Sequence, residues 1–176
     1  EYVTIMSTGN AIDFGNLQEA RNVPACSNAV RGILAGGDPN SSAGTNLVDF
    51  ITISTTGNAA DFGDLTADAY GVSGCSNAVR GIFGLGYTAP SNTNRMDFVT
   101  IATLGNSTDF GDLQANYYAQ ASTSSPTRGI FGGTYPSSTN IDYVQINTTG
   151  NSKDFGDLTA GRGHFDACSN GHGGLG

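Results

Sequence analysis

One ten-residue stretch occurs four times in this chain, and that recurrence limits the possible folds more than any other feature. Thr8 to Leu17 (Thr-Gly-Asn-Ala-Ile-Asp-Phe-Gly-Asn-Leu) returns at Thr56 to Leu65, Leu104 to Leu113 and Thr149 to Leu158. The step is 48 residues from Asp13 to Asp61 and from Asp61 to Asp109, and 45 from Asp109 to Asp154. Self-similarity at such a period marks units that cannot bury their apolar faces alone and must pack on their neighbours.

Within one period the pattern is that of strands. Gly71 to Ser76 reads as a first strand and Arg80 to Gly84 as a second. After a loop from Tyr87 to Asn94, Met96-Asp97-Phe98-Val99-Thr100-Ile101 alternates apolar and polar residues as a third strand with one buried face. A turn at Gly105-Asn106 leads to a fourth, Thr108 to Leu113. Apolar residues seldom recur at helical spacing, and glycines interrupt every candidate window. The expectation is therefore an all-β, β-propeller-like chain of four repeats of about 45–48 residues, each a four-stranded antiparallel blade. The shorter coils of a β-solenoid, about 20–30 residues, fit less well.

The chain reads as a single repeat domain, with units at about 1–20, 21–66, 67–114, 115–159 and 160–176. The first and last are complementary half-blades. Tyr2 to Leu17 pairing with Gly163 to Gly176 gives a closed four-bladed ring without exposed sheet edges. The alternative is that the chain, which begins at Glu1, is a window onto a longer array.

Charge narrows the partners. With 15 acidic against 7 basic residues, the net charge of -8 repels phosphate backbones and excludes nucleic acid. No stretch approaches the roughly 20 apolar residues of a membrane span, so membrane insertion is not expected. Cys26, Cys75 and Cys168 occupy one position of successive units, too far apart for bridges, and are expected to be buried, reduced thiols.

Gly36-Gly37 precedes the strand aromatic Phe50 and Gly132-Gly133 precedes Tyr143; Tyr2 and Phe98 hold the same strand position, and Phe14, Phe62, Phe110 and Phe155 recur as the later aromatics. In this order of residues the chain resembles kelch-type propeller repeats over essentially its whole length. Its wording, Asp-Phe-Gly-Asp-Leu and Arg-Gly-Ile-Phe-Gly-Gly, also resembles repeats of marine bacteriophage tail and virion surface proteins. That resemblance implies a place on a virion surface or in another extracellular assembly, with other assembly proteins and cell-surface glycans as partners.

Three polar series recur. Arg31, Arg80 and Arg128 open strands and are expected to hold the aspartates Asp13, Asp61, Asp109 and Asp154 in bidentate pairs that pin unit to unit. Asp64, Asp112 and Asp157 complete Asp-x-x-Asp sequences and are calcium candidates only by their oxygen chemistry. His164 and His172 have no recurring acid or nucleophile at motif spacing, so no catalytic residue and no cofactor are assigned. The loops Asp38–Asn46, Tyr87–Asn94 and Thr134–Asn140 vary while the framework stays constant, which places recognition there. Tyr87 and Tyr135 are set to stack on sugars, with Asn92 and Asn140 as hydrogen-bonding partners. The functional expectation is a non-enzymatic structural or binding module. The alternatives are a lectin-like propeller and, further off, a fragment of a carbohydrate-active enzyme.

Overall fold

The structure, a computed structural model, describes residues 1–39 and 44–169. The closing strand expected toward Gly176, His172 and the middle of the first variable loop lie outside the described residues. Every strand is antiparallel to its neighbour, and among the described residues there is no helix.

The first sheet is a meander of β1 (Ala25–Ser27), β2 (Arg31–Ala35), β3 (Thr45–Thr52) and β4 (Ala60–Ala69). The second has β5 (Ser73–Ser76), β6 (Arg80–Gly84), β8 (Ser91–Thr100) and β9 (Thr108–Tyr117), with the short β7 (Tyr87–Thr88) folded against β8. The third comprises β10 (Ala121–Ser124), β11 (Arg128–Gly132), β12 (Ser138–Gln145) and β13 (Lys153–Arg162). Registers match: Ile33 faces Phe50, Ile82 faces Phe98 and Ile130 faces Tyr143. Residues 1–17 supply the outer half of one more unit, because Tyr2 bridges Ile12 as Phe50 pairs with Ala60. In each unit the strand aromatic meets the later one edge to face, at 5.9–6.1 Å from Tyr2–Phe14 through Tyr143–Phe155.

The middle sheet is buried on both faces, which corrects the expectation of one. Phe83, Leu85, Val99 and Ile101 pack with Ile33, Val48, Phe62 and Leu65 of the first sheet. Ile82, Met96, Phe110 and Leu113 pack with Phe131, Val144 and Ile146 of the third. Successive residues of a strand point to opposite faces, so neighbours such as Ile82 and Phe83 serve different cores. The loop expected over Tyr87–Asn94 is mostly strand, since Tyr87 and Thr88 pair with Asn92 and Ser91.

Two seams join the units. Along the inner strands, the Ser76 hydroxyl donates to the Ser27 carbonyl, Ser124 to Ser76 and Ser169 to Ser124, each at 2.7 Å. At the outer strands, a glycine-asparagine turn of each four-stranded unit meets the preceding unit. Gly57 N–H donates to the Phe14 carbonyl, Gly105 to Phe62 and Gly150 to Phe110, at 2.7–2.8 Å. Two residues on, Ala59, Ser107 and Ser152 donate to the carbonyls of Asn16, Asp64 and Asp112. The turn asparagines Asn58, Asn106 and Asn151 accept from the amides of Asn16, Asp64 and Asp112 at 3.0–3.1 Å.

Candidate functional site

After the last strand of each sheet the chain makes the same left-handed step. Gly71 (φ 62°), Ala119 (φ 50°) and His164 (φ 57°) hold it in successive units. Ala and His rarely adopt this conformation, and such strain collects where a structure over-determines a position. The Ala119 amide donates to the Gly71 carbonyl and the His164 amide to that of Ala119, both at 3.1 Å, so these steps stack. Tyr118 lies where a side chain at position 71 would stand, which fixes glycine there.

The stacking gathers an aromatic row from three units. Tyr87 lies 4.7 Å from Tyr70, Tyr70 5.7 Å from Tyr118, Tyr118 6.2 Å from Tyr135, and Tyr135 5.2 Å from His164. Backbone bonds hold it: Tyr70 and Tyr87 exchange N–H···O contacts, and the Tyr135 amide donates to the Tyr118 carbonyl. Tyr70, Tyr118 and His164 open into a cavity of about 520 Å³, which Asn22, Asp38 and Asp166 also line. Deeper in the lining stand Ser73, 3% exposed, and Gln120, 7% exposed; the Ser73 hydroxyl and both polar atoms of Gln120 have no hydrogen-bond partner. Partial desolvation, then the neighbouring Tyr87, Tyr118 and Asp38, push the Tyr70 phenol above its ordinary value of 10.0, so it is a hydrogen-bond donor at neutral pH.

Chemically, with the unpartnered atoms of Ser73 and Gln120 enclosed beside Gly84, the site is a concave one with apolar ring surface at its lip and the polar side chains of Asn22, Asp38 and Asp166 in its wall. A ligand with an apolar face and several hydroxyls would satisfy both. Of the residues expected to bind, Tyr87 and Tyr135 stand in the row, and Asn92 pairs with Tyr87 across the β7–β8 hairpin. Asn140 lies elsewhere, on β12, where its amide donates to the Tyr117 hydroxyl at 3.3 Å.

The arginines do not pair with the aspartate series. Arg31, Arg80 and Arg128 lie over the rings of Phe50, Phe98 and Tyr143 at 4.7–4.9 Å. Arg31 also donates to the Ile101 carbonyl and Arg80 to that of Ile146, so each reaches the next unit through its backbone. The reason is register: each arginine sits beside the strand aromatic, whereas Asp61, Asp109 and Asp154 face solvent beyond it. Asp13 is likewise exposed, and Asp154 accepts from the Gly156 amide. Asp64, Asp112 and Asp157 sit on different sheets, opposite Leu47, Arg95 and Asn140, with Asp157 accepting from the Thr139 hydroxyl. Among the described residues no three His, Cys, Asp or Glu side chains gather as metal ligands.

Sequence reasoning passed over Asp49, Asp97 and Asp142, which are buried. Asp97 accepts from the Thr66 amide and hydroxyl and the Ser107 hydroxyl; Asp142 accepts from Gln114 and Ser152. Asp49 pairs with Arg21 at 2.9 Å. It also passed over Tyr70 and Tyr118, whose signal was an aromatic in the same inter-unit connection, 48 residues apart. Compared with known proteins, the chain matches no family model and no curated protein.

Proposed function

We propose that this chain is a non-enzymatic recognition module of β-propeller type, carried on a virion appendage or another extracellular assembly, and that its cavity takes a sugar residue of a surface glycan. The observation that carries the ligand class is the pairing of Tyr70 and Tyr118 at the lip with Asn22, Asp38 and Asp166 in the same cavity wall. A pyranose ring has an apolar face for the tyrosines and hydroxyls for Asn22, Asp38 and Asp166. The propeller reading is supported by the four-stranded units, their matched registers and a cavity lined by equivalent positions of successive units. The kelch-like and phage-like wording of the repeats supports the setting.

A glycan array followed by titration calorimetry tests the reading. The expected result is binding to a restricted set of glycans, lowered at least about tenfold, or 1.4 kcal/mol, by Tyr118→Ala and by Asp166→Ala. Failure to bind any glycan, or binding untouched by both substitutions, overturns it.

A further inference from the structure

Among the described residues the outer seam contains three junctions, whereas four turns and four strands are able to make one. The unmatched turn is Thr8–Ala11, in the first hairpin. The unmatched strand segment is Phe155–Asp157, at the start of β13. The contrast with filled positions is sharp: Phe62 and Phe110 are 2% exposed, and Phe155 is 51% exposed. A Cβ on Gly15, Gly63 or Gly111 would overlap the carbonyl of Gly57, Gly105 or Gly150, but at Gly156 it would meet nothing within 4 Å.

The other end shows the complementary vacancy. Val99 and Ile101 bury against the first sheet, and Val144 and Ile146 against the second. Their counterparts in the first hairpin, Val3 and Ile5, face solvent, Ile5 at 93%.

We propose that the β13 face receives the first hairpin of a second copy of this chain, so that copies join head to tail through a fourth example of the same junction. Its register follows from the other three. Gly9 N–H donates to the Phe155 carbonyl, Ala11 N–H donates to the Asp157 carbonyl, and Asn10 Oδ1 accepts from the Asp157 amide. Val3 and Ile5 cover Phe155. Glu1, at the position of Asp97 and Asp142, accepts from the Thr159 amide as those aspartates accept from Thr66 and Gln114. The occupant is set by continuity: the surface is the inter-unit interface the molecule already builds three times, and the hairpin holds the matching donors. Such a heterologous contact propagates or closes a ring of copies.

Sedimentation velocity over a concentration series tests this on the 176-residue chain. The average mass should rise with concentration. Ile5→Glu and Phe155→Asp change exposed side chains at opposite ends, so each variant should keep the parent circular dichroism and sediment as a monomer. Mixed, they should form a one-to-one dimer that grows no further, because one sound end remains on each. A parent chain monomeric throughout, single variants that still associate, or a mixture that stays monomeric overturns the proposal.

Discussion

The buried aspartates show how position within a register decides a residue's worth. Asp97 and Asp109 are cross-strand partners, yet the first is enclosed and accepts three hydrogen bonds while the second is exposed. Asp97→Ala leaves the Thr66 amide and Ser107 hydroxyl without an acceptor and should cost about 3 kcal/mol, whereas Asp109→Ala should stay within about 0.5 kcal/mol. Urea denaturation of both variants measures the difference. The sequence made Asp109 conspicuous through its repeated Asp-Phe-Gly wording and hid Asp97, because alternation alone does not say that both faces of a strand are covered. The cysteines carry a second residue-scale test. Cys26 and Cys75 are buried beside Gly81 and Gly129 of the next sheet; desolvation pushes the Cys26 thiol up to about 12 and the Cys75 thiol higher than its ordinary value as well. Cys168 departs from the expected burial and is exposed. At pH 8 a thiol reagent should therefore titrate one group in the folded protein and all three after denaturation. In the unfolded chain the thiols ionise near their ordinary value of 9.0, below the folded value for Cys26. The contribution of Cys26 to stability is thus complete below pH 9 and lost as pH rises toward 12.

Among elements, the outermost strands separate local strain from contact between units. Gly111 and Gly156 occupy the same position of β9 and β13, with φ of 135° and 139°. Gly156→Ala should cost only the strain of placing a side chain there, about 1–2 kcal/mol. Gly111→Ala must also displace the Gly150 backbone and should cost at least about 2 kcal/mol more. Paired denaturation curves, taken at a concentration where the chain is monomeric, check the gap. The four strands of each unit were legible from their length, alternation and glycine punctuation. Two features were not. The Ala89-Pro90 dipeptide reads as loop, but it turns β7 back onto β8. The last strand of each unit runs to Ala69, Tyr117 and Arg162, past the Leu where the recurring wording ends, because bulges in β3–β4, β8–β9 and β12–β13 let it continue.

For the whole molecule, stability should vary along the stack, since each unit is held only by its neighbours. Hydrogen exchange should be slowest in β5, β6 and β8, which are covered on both sides, and fastest in residues 1–17 and β13. Equal protection throughout would contradict this order. The stacked units could be read from the 48-residue step, but the aromatic row could not, because it depends on connections of different units meeting at one end of the inner strands. The serine seam has one more consequence, for heredity. Ser76, Ser124 and Ser169 each use the same hydroxyl toward the neighbouring unit, and the outer turns use the same three bonds. An in-frame crossover between two copies of the coding segment would therefore add or remove a complete unit while every remaining junction kept its partners. Unit number can change in a single genetic event, and the width of the stack can change with it.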